Sequence, residues 1–340
     1  MTVHSTSPLR IDFAGGWSDV ADFADREGGT VVNAAISILV HVDLFVGGGR
    51  IRLHAEDVGE HVTLESSGSM VYDGKLDLHK AALNMLPVTG GIEILSRSEA
   101  LPGSGLGGSG ALDVALLAGL AHLREESYDQ KELAELGFLL EAGELGLFGG
   151  RQDQYAAALG GFLELEFHDG RVGVRRLSVS ESAAHELSSH AVLVYTGQTH
   201  FSSQTHARVW AAYNSGDDSV IDAIRSIRDA AREAGDAIEA GDWKRLASLV
   251  DENWRNQKRL DPTMVTPATT RIDAAVREAG AWGLKATGAG AGGCVVVLCP
   301  TERRSAVTEA ARVNGGKVLD FDFTFDGVRA WQQDDAAEES

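Results

Sequence analysis

The densest chemical signal in the chain is Leu101-Pro102-Gly103-Ser104-Gly105-Leu106-Gly107-Gly108-Ser109-Gly110, which runs directly into a helical pattern from Ala111. A glycine-rich loop that feeds a helix offers unpaired backbone N–H groups at the positive end of the helix dipole. That arrangement seats an anion such as phosphate. Ser109, expected at the cap of the helix, adds a hydroxyl that can touch a phosphate oxygen or Mg²⁺. Glu141 and Glu144 lie three residues apart in a helical stretch, so they are expected on one face. Asp153 stands between Gln152 and Gln154, after Gly149-Gly150 and before the apolar run Tyr155 to Leu159. An acid there is expected at the start of a largely apolar helix, partly out of water and in need of a cation or hydrogen bonds.

Two familiar glycine readings fail on context. Gly103, Gly105 and Gly108 satisfy GxGxxG, as do Gly288, Gly290 and Gly293. The region about 20 residues beyond Gly108 leads into another helical pattern, however, whereas a dinucleotide-binding βαβ unit needs the end of a second strand there. A P-loop needs a Lys, and none occurs between Lys80 and Lys131. The histidines show no HxxxH or HxH spacing that would indicate zinc, and His4, His41 and His54 read as strand-face residues. Cys294 and Cys299 sit in or beside the apolar run Val295 to Leu298, as buried free thiols of a reduced compartment.

The elements that must position these residues follow from the apolar pattern. Short bursts at Leu9 to Ala14, Thr30 to Ile36, Ile38 to Val46 and Arg50 to Ala55 are separated by glycines and read as strands, with another at Gly91 to Leu95. Leu112, Ala115, Leu116, Gly119, Leu120 and Leu123 mark a helical face, and Leu133, Leu136 and Leu140 repeat it. Strands return at Gly161 to Phe167 and Val172 to Leu177. Ser202 to Ala281 reads as mostly helical, followed by strands at Leu284 to Thr287, Cys294 to Leu298 and Lys317 to Phe323, with a helix at Thr301 to Val313. Strand runs followed by helix runs, twice over, predict an α+β protein with two lobes. The expected limits are 1–180 for the first lobe, 181–330 for the second and 331–340 for a frayed acidic tail.

Composition bounds the function. Against 30 Lys plus Arg stand 50 Asp plus Glu, a net charge of −20 over 340 residues, which leaves no basic footprint for nucleic acid. The 44% apolar and 24% charged content is that of a folded globular chain. The N-terminus lacks the pattern of a signal peptide and no run approaches the ~20 apolar residues of a spanning helix. A cytoplasmic protein with no membrane partner is expected.

The motif Pro102-Gly-Ser-Gly-Leu-Gly-Gly-Ser109-Gly resembles the PxGxGLGSSA loop of the GHMP small-molecule kinases, and other segments match that superfamily in order. Ser7-Pro-Leu-Arg10-Ile-Asp-Phe-Ala-Gly-Gly-Trp-Ser-Asp19 with Gly28 to Ile36 is similar to its first motif, and Lys285-Ala-Thr-Gly-Ala-Gly-Ala-Gly-Gly293 to its third. With Gly149-Gly-Arg-Gln-Asp153-Gln-Tyr-Ala-Ala157 and Glu252-Asn-Trp254-Arg-Asn-Gln-Lys258, the resemblance narrows to the sugar 1-kinase branch that includes heptose 7-phosphate kinases and L-fucokinases. It implies an N-terminal lobe like domain 2 of ribosomal protein S5 and a ferredoxin-like C-terminal lobe. It further implies ATP and Mg²⁺ as cofactors, with Pro102, Gly103, Ser104, Gly105, Leu106, Gly107, Gly108, Ser109 and Gly110 around the phosphates and Glu141 on Mg²⁺. Asp153 is implied as the group that takes or orients the acceptor hydroxyl, with Arg10 as the cation beside it. Asp19, with Gly16 and Trp17, is implied as sugar-binding, and carboxylates suit polyols because each accepts two or more O–H bonds.

The chain departs from the family at Gly108 and Gly110, which flank a single Ser109 where serines are usually consecutive, and at Ala291, where glycine is common. His200 stands where the heptose kinases tend to carry Arg. The resemblance implies transfer of a phosphoryl group from ATP to the anomeric hydroxyl of a heptose 7-phosphate or related sugar phosphate. Arg10, Arg26 and Arg151 are candidates for the remote phosphate. A 1-kinase for an unphosphorylated sugar such as L-fucose or for a cyclitol, and a non-catalytic ligand-binding relative, remain alternatives. The expected partner is a small-molecule sugar or sugar phosphate, and the resemblance is compatible with a homodimer.

Overall fold

The computed structural model describes residues 2–65, 70–197 and 202–333. Strand β1 (Thr2–Ala14) turns inward only every second residue at its start, then is buried at every position from Ser7. Strand β2 (Gly29–Val46) mirrors it, buried throughout Gly29 to Ile36 and alternating beyond. A strand buried at every position has both faces covered, and here the cover is helical. Helices α3 (Gly108–Leu123) and α5 (Gln152–Leu159) pack on this part of the sheet, as do α8 (Asp218–Glu239) and, on β1, α9 (Trp243–Leu260). The two bursts Thr30 to Ile36 and Ile38 to Val46 are therefore one strand. Its pairing with β1 slips between Pro8, opposite Leu39, and Leu9, opposite Ile36. Pro8 donates no ladder hydrogen bond, so a bulge there costs little.

The remaining strands of the first sheet are β3 (Ile51–Ala55), β4 (Glu60–Leu64), β5 (Ile92–Ser98), β6 (Phe162–His168) and β7 (Arg171–Arg176). The first half of β2 pairs with β6 and the second half with β5, so one long strand carries two neighbours on the same edge. The second sheet runs β11-β8-β10-β9, all antiparallel, from β8 (Ala191–Tyr195), β9 (Gly283–Ala286), β10 (Cys294–Leu298) and β11 (Lys317–Leu319). Between β8 and β9 the chain is helical, with α7 (Ser202–Asn214), α8, α9 and α10 (Pro267–Glu278), and α11 (Arg304–Val313) follows β10. Val194, Trp254, Ile272, Leu284, Val295, Val297 and Val307 form one apolar cluster of this lobe. Cys294 and Cys299 are free and buried, and burial pushes their thiols up to about 12 and about 11, which makes them inert at neutral pH.

The C-terminal segment corrects two expectations. The strand beginning at Lys317 ends at Leu319, after which the chain crosses back to the first sheet, where Phe323 bridges Ile36 and packs on Phe13 and Phe162. Strand β12 (Arg329–Gln333) then pairs antiparallel with the start of β1. Residues 331–333 are ordered strand rather than frayed tail, because Trp331 stacks on His4 and the ladder takes up their backbone groups. The expected limit at residue 330 falls inside that strand. Among the described residues no helix is long and apolar enough to cross a membrane.

Candidate active site

The glycine loop owes its shape to residues that L side chains rarely replace. Gly103, Gly105 and Gly107 have φ of 70°, 74° and 78°, left-handed backbone at every second position. Gly107 occupies the cap of α3 and no side chain caps it, so Ser109 is the second residue of the helix and not its cap. The correction has a chemical consequence: the Ser109 hydroxyl is free of the backbone and hydrogen-bonds the Glu141 carboxylate instead. A Cβ on Gly108 would meet nothing within 4 Å, so open space lies in front of the helix N-terminus. That space and the unpaired N–H groups around it can hold a phosphate.

Arg10 ties the separate motifs into one site. Its backbone N–H donates to the Leu106 carbonyl at 3.0 Å, and its guanidinium donates to the carbonyls of Gly105 and Thr287, both at 2.8 Å. The remaining nitrogens take Asp153 Oδ1 at 2.8 and 2.7 Å. First motif, phosphate loop, third motif and Asp153 thus meet at one buried cation. Two glycines allow this approach: a Cβ on Gly107 would come within 3.2 Å of the side chains of Arg10 and Asp153, and one on Gly110 within 2.8 Å of the Asp153 Cβ.

The third motif lies against the loop. Cys294 N–H donates to the Ser104 carbonyl at 2.6 Å, and a Cβ on Gly293 would strike that same oxygen. Lys285 in β9 is fully buried and donates to Asp12 Oδ2 at 2.8 Å and to the Asp12 carbonyl at 2.9 Å. Burial lowers its pKa, and Asp12 opposes the shift. Helix α9 explains the Glu252 to Lys258 segment. Asn253 accepts from Gly15 N–H at 2.9 Å, and Gln257, one turn on, donates to the Gly288 carbonyl at 2.8 Å. One helix face so holds the first and third glycine motifs at a fixed separation.

Asp19 is buried beneath Gly150, where any side chain would overlap its carboxylate, and Gln152 N–H donates to it at 3.3 Å. Burial, aided by the charges of Asp153 and Asp12, raises its pKa to about 7. Glu141 and Glu144 do not share a face, contrary to the helical spacing. Residues Leu139–Glu144 form a π-turn, whose wider pitch rotates the two apart. Glu144 accepts from the Tyr72 hydroxyl, whereas Glu141 accepts from Gln154 Nε2 at 2.9 Å and faces the loop through Ser109. Burial raises the pKa of Glu141.

Asp113, unnoticed in sequence, is fully buried one turn into α3. Burial and the Glu141 charge push its pKa well up, so it donates to Glu141 as a carboxylic acid. Asp12, Asp113, Gln154, Asn253 and Gln257 all serve the site, and only the i, i+4 spacing of Asn253 and Gln257 inside a quoted motif could have flagged any of them. Among the cations expected for a remote phosphate, Arg10 is committed to Asp153 and Arg26 lies over the Tyr213 ring. Arg151 instead lines a hollow of about 270 Å³ with Asp19, His168 and Arg171. His200 lies outside the described residues.

Sequence models for the GHMP kinases N terminal domain and the GHMP kinases C terminal domain match residues 75–161 and 234–315. The chain is 31% identical over 340 residues to D-glycero-alpha-D-manno-heptose 7-phosphate kinase of Campylobacter jejuni, with 97% of this chain and 99% of that one covered. The chain belongs to the GHMP kinase family. Its fold superposes on a crystal structure described as a D-glycero-D-manno-heptose 1-phosphate kinase from Bacteriodes thetaiotaomicron, with a TM-score of 0.82 and 28% identity over 97% of this chain and 99% of that one. A bifunctional fucokinase/GDP-fucose pyrophosphorylase of Arabidopsis thaliana is 26% identical over 86% of this chain, which spans 29% of that larger protein. This GHMP kinase is accordingly a phosphotransferase of the sugar-kinase type, close to the heptose phosphate kinases, and its two-domain mixed α and β architecture is that of the family.

Proposed function

We propose that this GHMP kinase transfers the γ-phosphoryl group of ATP, with Mg²⁺, to the anomeric hydroxyl of a heptose 7-phosphate or closely related sugar phosphate. The observation that carries the reading is the convergence of Arg10 on Asp153, Gly105 and Thr287, which sets a proton acceptor beside the phosphate loop. The residues fit Mg²⁺. Among the described residues no group of three or more His, Cys, Asp or Glu is gathered for a metal, but Mg²⁺ is commonly bound through one or two carboxylates and completes its shell with water and phosphate oxygens. Glu141 and the Ser109 hydroxyl would hold it, and bound Mg²⁺ neutralises charge on the phosphate oxygens.

The chain's own groups then act in sequence. Backbone N–H groups of the loop and of the first turn of α3 fix the phosphates, and the lobe contacts hold the loop rigid. The acceptor oxygen forms its bond to the γ-phosphorus as the bond to the β,γ-bridging oxygen breaks, and its proton passes to the Asp153 carboxylate. Arg10 keeps Asp153 aimed at that oxygen. Asp19 accepts hydroxyls elsewhere on the sugar, and the hollow lined by Arg151, Arg171 and His168 offers cations on the side of Asp19 for a phosphate at the far end of the acceptor.

A coupled ADP-release screen over heptose 7-phosphate, hexose 6-phosphates, L-fucose, a cyclitol and mevalonate tests the proposal. Heptose 7-phosphate is expected to give the highest kcat/KM. A preference for an unphosphorylated sugar would overturn the acceptor, and ATP turnover with none of them would overturn the reaction.

A further inference from the structure

Trp17 departs from ordinary backbone geometry. Its φ is 86°, in the left-handed region that a bulky aromatic residue rarely occupies and that costs on the order of 1–3 kcal/mol. The strain is imposed from the side: Ser18 N–H and its hydroxyl bind the Gly15 carbonyl at 2.9 and 2.7 Å, and Thr30 N–H donates to the same hydroxyl at 3.1 Å. Pinning Ser18 drives the Trp17 indole onto α7, where it stacks on the His206 imidazole with centroids 4.4 Å apart and planes 26° from parallel. Trp210, one turn along α7, lies 6.2 Å from Trp17.

The ring nitrogens of this cluster are unused. Trp17 Nε1, Trp210 Nε1 and His206 Nδ1 are all buried and have no hydrogen-bond partner among the described residues, while Trp17 and Trp210 are 5% and 4% exposed. Leaving such a group unpaired costs about 1–3 kcal/mol, and one cluster of them is unusual in a folded chain. Burial lowers the His206 pKa to about 4, so at neutral pH the imidazole offers one donor and one acceptor. The charge that opposes this shift is Asp153, which places His206 within electrostatic reach of the reacting carboxylate.

We propose that Trp17 and His206 form the wall that selects a polyhydroxylated sugar ring, the imidazole exchanging hydrogen bonds with ring hydroxyls and the indole covering a C–H face. The inference rests on the sugar-kinase reading and names specificity residues for it. The strained loop holds the indole in place before the acceptor arrives, and the unmade hydrogen bonds of the rings are those the acceptor completes. An acyclic acceptor with few hydroxyls would leave them unmade, so the wall also discriminates against such molecules.

The test compares His206→Ala, His206→Gln and Trp17→Phe with wild type, measuring KM for the best sugar acceptor, KM for ATP, kcat and thermal midpoint. Loss of one hydrogen bond predicts about a tenfold rise in acceptor KM for His206→Ala, with ATP KM unchanged, and partial rescue by His206→Gln. Trp17→Phe keeps the stacked face and loses the N–H, so it should raise acceptor KM less than His206→Ala. An unchanged acceptor KM in folded His206→Ala overturns the proposal. A parallel rise in both KM values with a lowered midpoint also overturns it, by assigning the cluster to packing. If wild type itself phosphorylates no sugar, the sugar-kinase reading falls first and takes this inference with it.

Discussion

Replacing Asp19 with Asn removes a charge that the fold carries at a cost. The carboxyl has an ordinary value of 3.8 and is held at about 7, chiefly by burial and next by the charge of Asp153. Between those pH values the folded chain keeps a proton that the unfolded chain has released, so stability falls as pH rises and the loss is complete above 7. At about 1.4 kcal/mol per pH unit the interval is worth about 4 kcal/mol, of which about 2 kcal/mol falls between pH 5.5 and 7. Asn has nearly the same shape, can still accept from Gln152 N–H, and does not titrate. The midpoint of Asp19→Asn relative to wild type should therefore climb by about 4 to 8 °C as the buffer goes from pH 5.5 to 7.5. Differential scanning fluorimetry across that range reads it directly. Acceptor affinity should move the other way in wild type, tightening as pH passes 7 and the ionised carboxylate accepts two hydroxyls, and should be weak and flat in the variant. Parallel melting curves for the two proteins would refute the buried-charge argument.

Gly105→Val should abolish tight ATP binding, since φ of 74° and the Gly288 backbone 3.4 Å from the new Cβ leave no relaxed geometry, while Gly108→Ser, facing open space, should bind ATP as wild type does by calorimetry. Arg151→Ala should raise KM for a phosphorylated acceptor by about 10- to 100-fold, the worth of a charge-assisted hydrogen bond, and leave KM for an unphosphorylated sugar nearly unchanged in steady-state assays.

The strands, the helices around the phosphate loop and the loop itself were legible because each follows a local rule: apolar period, glycine at turns, a helix start after a glycine run. Arg10 and Asp153 were legible through the resemblance, and their 2.7 Å contact joins residues 143 positions apart that no local rule connects. The Glu141 and Glu144 pair misled because their spacing assumes an α-helical pitch, and the chain widens to a π-turn there. Asp113 looked like an ordinary position in an apolar helix. Its role depends on Glu141 arriving from another element, which is a property of packing. The return of residues 320–333 to the first sheet was hidden for the same reason: Phe323 and Trp331 signal apolar contact but not with which sheet.

The central claim is that Asp153, held by Arg10, takes the proton of the acceptor hydroxyl while the loop holds ATP. Steady-state kinetics and ATP calorimetry on Asp153→Asn test it most directly, because the change leaves the loop intact. The account predicts a fall in kcat of about 10²- to 10⁴-fold with ATP affinity close to wild type. A folded Asp153→Asn enzyme that turns over within about threefold of wild type, far inside that range, would contradict it.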